Sequence, residues 1–397
     1  MKSSYKKIGD YIQLVDERNK GLKVQNLLGL SISKQFIPSV ANIIGTDMEN
    51  YKIIRRNQFA CSTMQVRRDK KMPVALLQEV DEAIISQAYP IFEVKDEQEL
   101  LPEYLMMWFT RSEFDREACF NAVGGVRGSL EWEDFENMKL PIPHPDKQYE
   151  IVKEYNVIQN RITLNQQLIQ KLEETAQAIY KQWFVDFEFP SENGLPYKNN
   201  GGEMVESELG EIPKDWKLGI LKDILIYSTK RISVSDLNLD NYISTENMEQ
   251  NRGGIFTANN LPSATTATKF DIGEILISNI RPYFKKIWLA DFEGGCSNDV
   301  LCFVPKKDIS SLFIYHILEK DVFFEYVMAG SKGTKMPRGD KKWILNYSVV
   351  IPNSSILKDF TKVTKTISTT STLLKKENKS LKSISELLLS KLATIKY

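Results

Sequence analysis

The chain has 397 residues, 42% of them hydrophobic and 26% charged, enough for two domains of ordinary size and unlike disordered or collagen-like composition. Its 52 basic and 52 acidic residues sum to zero formal charge, not the balance expected of a nucleic-acid-binding chain unless its cations are gathered locally. No run approaches the roughly 18 apolar residues of a membrane span, and the lysines near the start have no apolar stretch behind them, so a cytoplasmic protein is expected.

Residues 1–150 read as a first α/β domain, with residues 83–94 as strand and residues 99–119 as helix. Within it Arg55, Arg56, Arg67, Arg68, Lys70 and Lys71 form a basic cluster. The period then changes. Over residues 151–190 apolar side chains follow three-four spacing through Ile158, Ile162, Ile169, Leu172, Ile179 and Trp183, with Asn165 as the polar exception. A seam sustained over several heptads predicts a coiled-coil helix, and a buried asparagine fixes register at some cost in stability. Residues 191–210, rich in Asn, Gly and Glu, read as a linker after Pro190.

Residues 211–354 read as a second α/β domain, with strands at 272–278 and 300–304 and a helix over 309–328. Here Arg281, Lys285 and Lys286 surround Pro282-Tyr283-Phe284, and Lys332, Lys335 and Arg338 lie in a glycine-containing loop. Residues 355–397 return to a heptad through Phe360, Ile367, Leu374, Leu381, Leu388 and Ile395. Its alternate row is read as Val363, Thr370, Glu377, Ile384 and Lys391.

The two globular parts repeat. Arg127 and Arg338, Trp132 and Trp343, and Pro141 and Pro352 are all 211 apart, as are Ser86 and Ser297, Phe92 and Phe303, and Tyr104 and Tyr315. A duplicated chain with two long seams predicts helices that pair with each other.

This layout resembles the specificity subunits of Type I restriction-modification systems. The segment Gln177-Ala178-Ile179-Tyr180-Lys181-Gln182-Trp183-Phe184-Val185-Asp186-Phe187 is similar to that family's central helix exit. Gly210-Glu211-Ile212-Pro213-Lys214-Asp215-Trp216 resembles the start of its second recognition domain, and Gly333-Thr334-Lys335-Met336-Pro337-Arg338-Gly339-Asp340 a segment late in one. The first copy has only Gly124-Gly125-Val126-Arg127-Gly128 at the matching place. The resemblance implies duplicated α/β target-recognition domains, each followed by a long helix, with the helices forming an antiparallel coiled coil of pseudo-two-fold symmetry. It implies a non-catalytic subunit that binds double-stranded DNA at a bipartite target. Two methylation subunits would dock on the helices and motor-nuclease subunits would join them. The partners, not this chain, would use S-adenosylmethionine, ATP and Mg²⁺.

The expected DNA contacts are Arg67, Arg68, Lys70, Lys71, Arg127, Arg281, Lys285, Lys286, Lys332, Lys335 and Arg338, since lysine and arginine in loops reach phosphate and arginine also reaches guanine. Arg127 and Arg338, repeated beside Gly and Trp, are equally readable as structural. The seam residues are expected to hold the helices together and to carry partner docking. Two other classes stay open: a metal-dependent nuclease using Asp81, Glu93 and Lys95, and a coiled-coil scaffold that binds proteins. The second copy lacks the carboxylate pattern, having Phe303-Val304-Pro305 there. Among four cysteines and two histidines no spacing suits zinc, and no phosphate-binding glycine loop occurs.

Overall fold

A computed structural model describes residues 5–39, 46–124 and 128–394. The chain forms two compact units, Met1–Asn165 with Lys376–Tyr397, and Gln166–Lys375. A central helix, Pro145–Phe184, and a C-terminal helix, Ser354–Lys391, each contribute one part to either unit. At 1.5 Å per residue each is about 60 Å long.

In the first unit a four-stranded antiparallel sheet runs Ile12–Val15, Ile91–Val94, Phe59–Cys61, Val74–Leu76. In the second, Leu225–Tyr227, Val300–Pro305, Ile275–Ser278 and Ile287–Leu289 take the same order, again antiparallel. In each sheet an inner strand, Ile91–Val94 or Val300–Pro305, is paired on both sides. There Phe92 and Phe303, at the same depth, are fully buried and contact the phenylalanine or isoleucine that begins the next strand. Two helices follow in each, Pro102–Thr110 with Ser112–Asn121, and Ser311–Leu318 with Asp321–Ala329.

The expected single helices are therefore broken in both copies. At each break the backbone is extended and turns a cation inward: Arg111 lies 4.1 Å from the Trp108 ring and Lys320 5.0 Å from the Tyr180 ring. Burial lowers the pKa of Lys320. Likewise residues 83–94 are two strands, not one. Glu82–Ile85 belongs to a separate sheet with Lys52–Arg55 and Glu17–Arg18, and the Ser86 carbonyl accepts from Tyr89 N–H to turn the chain before Ile91–Val94.

The constant interval of 211 holds only for the first part of the repeat. Ser86 and Ser297 each open the same four-residue turn, closed by Tyr89 and Val300, and Phe92 matches Phe303. Seven residues separate Val94 from Pro102 but only five separate Pro305 from Ser311, so the register then drops to 209. Buried Tyr104, Leu105, Phe109 and Phe135 thereby match buried Phe313, Ile314, Leu318 and Ile344. Tyr104 does not match Tyr315, and Trp132 does not match Trp343.

Each core is closed by the ends of both helices. In the first unit Val152 of the central helix and Leu389 of the C-terminal helix join Phe109, Phe135 and Leu140, with Leu392 just beyond. In the second, Tyr180, Trp183 and Phe184 join Leu357 and Phe360, the Phe184 and Phe360 rings lying 4.8 Å apart nearly edge-to-face. The linker is also ordered: the Phe189 ring stacks on Trp216 at 5.0 Å and on Tyr197 at 4.6 Å, and Met204–Val205 pairs with Ile212–Pro213.

The helices pair antiparallel within each unit. Gln159 donates to Ser385 and Asn165 to Asn378 in the first, while Glu173 meets Lys375 in the second. Asn165 sits in the seam, 1% exposed, its Nδ2 donating to Asn378 Oδ1 at 3.0 Å. Arg161 and Glu377 form a two-bond ion pair beside it. The alternate row of the C-terminal helix is shifted by one residue from that read in the sequence. Thr364, Ser371, Asn378, Ser385 and Leu392 are buried, whereas Val363 and Ile384 are exposed. Ile395 lies outside the described residues.

Candidate nucleic-acid interface

In both units the interface candidates grow from one local device. The third strand of each sheet ends in a short helical turn, Val66–Asp69 or Pro282–Phe284, that is bracketed by left-handed residues. Gln65 (φ 63°) and Lys70 (φ 53°) bracket the first; Arg281 (φ 50°) and Lys285 (φ 52°) bracket the second. Two lysines follow in each, Lys70-Lys71 and Lys285-Lys286, so 285 − 70 and 286 − 71 both give 215. This equivalence is hidden from a search at fixed interval, because the strands before it are five residues further apart than Phe92 and Phe303 are. The signal that finds it is the doublet itself.

A second loop, after the second helix of each pair, folds back on that turn. Val123 pairs with Ser129, and Leu130 N–H donates to Thr63 C=O. Correspondingly Lys332 pairs with Arg338, and Gly339 N–H donates to Asn279 C=O. Gly333 takes a left-handed conformation (φ 92°) at the start of the tip, where Lys335 and Met336 are exposed. Gly330 is fixed by Trp343: a Cβ there would lie 2.1 Å from the indole.

The loop cations are held differently in the two units. Arg67 caps the first unit's loop, its guanidinium donating to the carbonyls of Ala122 (2.7 Å) and Gly124 (3.1 Å), which is a structural latch. Arg68 pairs with Asp69 at 2.6 Å and lowers that carboxyl's pKa. Lys70 and Lys71 are exposed and make no ion pair among the described residues. Arg127 lies outside the described residues. In the second unit Lys285 pairs with Asp321 at 2.9 Å, and Lys286 donates to Thr245 C=O at 2.7 Å, burial lowering its pKa. Lys332 pairs with Asp340 at 2.7 Å and Arg338 with Asp299 at 3.2 Å. Bonded first by Lys332 and then by the N–H groups of Trp343 and Lys342, the Asp340 carboxyl is held down at about 2. Arg281 lies 5.9 Å from the Phe284 ring, with Nε buried and unpaired among the described residues, as is Asn279 Oδ1. Lys335 makes no ion pair among the described residues.

The nuclease candidates do not converge. Asp81 binds Arg56, Glu93 accepts from Gln13 and Gln58, and Lys95 donates to the carbonyls of Gly9 and Asp10. Among the described residues no three His, Cys, Asp or Glu side chains are grouped to hold a metal. Cys61, Cys296 and Cys302 are buried free thiols, pushed upward by desolvation. No described helix is long and apolar enough to cross a membrane. The seam residues face their helical partner within each unit, so they are not the exposed surface a further subunit would meet.

Residues 67–174 match the family described as Type I restriction modification DNA specificity domain. Over 271 residues, 64% of this chain, it is 21% identical to the Type I restriction enzyme EcoDI specificity subunit of Escherichia coli. It is 27% identical over 112 residues, 28% of this chain, to the HindI specificity subunit of Haemophilus influenzae. These matches span 60% and 24% of the two relatives' own lengths. The crystal structure of a Type I restriction-modification S subunit from M. genitalium shares the fold, with a TM-score of 0.58 and 14% identity, covering 99% of this chain and 96% of that one. Residues 67–174 thus resemble the Type I DNA specificity domain, and the chain as a whole has the fold of a Type I S subunit.

Proposed function

We propose that this chain is the DNA-reading, non-catalytic subunit of a Type I restriction-modification enzyme, acting in the cytoplasm. Each globular part reads one half of a bipartite target, and the paired helices set the unread gap. The observation that carries this reading is one strand order repeated in two globular parts whose exposed basic loops differ. A shared scaffold with different loops suits two different half-sites, because loops tolerate change that a core does not. The residues put forward for DNA contact are Lys70, Lys71 and Arg68 in the first unit and Lys335, Lys332, Arg338 and Arg281 in the second. Arg67 and Lys286, which donate to backbone carbonyls, and Lys285, which pairs with Asp321, stand behind these as candidates.

Two methylation subunits would dock on the helices, and motor-nuclease subunits on that assembly. S-adenosylmethionine, ATP and Mg²⁺ would be used by those partners. Exposed apolar side chains support docking on the outward helix faces: Val157, Leu164 and Leu168 on one helix, and Val363, Leu373, Ile384 and Leu387 on the other. Each stands one position before a seam residue, so each helix carries a single apolar row beside its seam.

The test exchanges residues 1–150 for the corresponding part of another family member and maps methylation in cells that contain the partner subunits. One half of the methylated sequence is expected to change while the other persists. A change in both halves would overturn the assignment of one reader to each half-site.

A further inference from the structure

The zero net charge and the basic loops are reconciled by local pairing. At the base of the 332–338 loop both cations already hold a carboxylate, Lys332 that of Asp340 and Arg338 that of Asp299. Neither carboxylate is a chance neighbour. Asp340 caps the helix Lys341–Leu345 through the N–H groups of Lys342 and Trp343, which fixes its position, and its low pKa keeps it charged at any ordinary pH. Asp299 is fixed by its own backbone, whose carbonyl accepts from Asn279 N–H beside the point where Gly339 N–H meets Asn279 C=O. The loop is thus neutralised where it is anchored, and Lys335, which makes no ion pair among the described residues, stands at the tip.

Random-sequence DNA attracts a protein through uncompensated cations that release counterions condensed on phosphate. A cation already neutralised by a contact carboxylate adds little to that attraction. At its own target the protein is held in register, and a phosphate oxygen can take the carboxylate's place on a guanidinium or ammonium of fitted geometry. We propose that Asp299 and Asp340 are specificity-determining residues, which withhold Arg338 and Lys332 from random duplex by occupying them. This rests on the DNA-reading function proposed above.

The experiment measures binding of the full-length chain to a random-sequence duplex as salt is raised from about 50 to about 200 mM. It compares the unaltered chain with D299N/D340N. Asparagine caps a helix as well as aspartate, so D340N removes the charge and keeps the cap, and thermal unfolding reports that the fold is intact. Two newly free cations should steepen the salt dependence by about 1.8 in log–log slope. The double variant should therefore bind more tightly at low salt and lose about twelvefold more affinity over that range. Adding K332Q and R338Q should return the slope to that of the unaltered chain or below. The inference is overturned if D299N/D340N matches the unaltered chain, if the steeper slope survives K332Q and R338Q, or if E206Q/E208Q, which adds the same net charge at two exposed linker carboxylates, steepens the slope equally and so makes it a general effect of net charge. If the unaltered chain binds no duplex, alone or with methylation subunits, the DNA-reading function itself falls and the inference with it.

Discussion

The two globular parts differ least where they meet the helices and most where they face outward. Both build the same four-stranded sheet, the same broken helix pair and the same short strand pair against the next helix, Tyr5–Lys7 with Lys139–Pro141 and Lys217–Ile220 with Ser348–Ile351. Beyond that sheet they part. The first adds a three-stranded sheet and the hairpin Leu28–Leu30 with Phe36–Pro38; the second adds a four-stranded sheet containing the parallel pair Tyr242–Ile243 and Gly294–Cys296. The difference separates two demands. The helix-facing half must close a core around aromatic side chains and tolerates little change in volume. The outward half is constrained only by its own small clusters, so it can carry different loops.

If the shared half is one design used twice, breaking it on one side should leave the other standing. Phe184→Ala removes a ring that touches Trp216, Phe313 and Phe360, all within the second unit. A cost of about 3–5 kcal/mol is expected. Leu392→Ala, at the matching helix end in the first unit, should cost about 2–5 kcal/mol. Hydrogen exchange by mass spectrometry should show loss of protection confined to the altered unit in each case. Loss spread evenly through both would mean that the two cores unfold as one.

A smaller effect probes the helix pair. Asn165→Ala leaves the buried Asn378 amide without its seam partner, and an orphaned buried polar group costs about 1–3 kcal/mol. Replacing both asparagines with leucine should recover that stability, since an apolar seam is at least as stable, while loosening the register that the pair fixes. Urea unfolding of the single and double variants gives the coupling energy; additive effects would show that the two amides do not act as a pair.

These elements also show how much could be read before the fold was known. The apolar seam through Phe360 and Leu388 was legible because a coiled coil needs bulk every seven residues. Its alternate row is invisible to an apolar pattern, because Thr364, Ser371, Asn378 and Ser385 satisfy the seam with small polar groups instead. Their seven-residue recurrence was visible in the sequence and was the better signal. The duplication was legible from Phe92 and Phe303, whose central strand is fixed by pairing on both sides. It was overextended past the strand-to-helix loop, where a two-residue difference in loop length has no apolar signature. Which cations are free was not legible at all, because the carboxylates that hold Lys285 and Arg338 lie 36 and 39 residues away in sequence.

The two-residue shift yields the subtlest prediction. With a constant interval Trp132 and Trp343 would be one residue in two copies, and their removal should have like consequences. In the structure Trp132 is half-buried beside Phe92 and Phe135, at 5.7 and 5.0 Å between ring centres, and its place in the core makes Trp132→Ala cost about 2–4 kcal/mol. Trp343 is 42% exposed, stacks on Tyr326 at 4.9 Å, donates to Tyr326 C=O, and covers Gly330 where the basic loop begins. Its loss should cost only about 1 kcal/mol, most of it the hydrogen bond and the ring contact. The consequence should instead appear in the loop: faster amide exchange over residues 331–339 and weaker DNA binding, with the core of the second unit unchanged. The residue of that helix buried in the core is Ile344, the counterpart of Phe135, so Ile344→Ala should destabilise the unit by about 2–5 kcal/mol. Equal losses from the two tryptophan variants, or a larger loss from Trp343→Ala than from Ile344→Ala, would restore the constant interval and undo the two-residue shift.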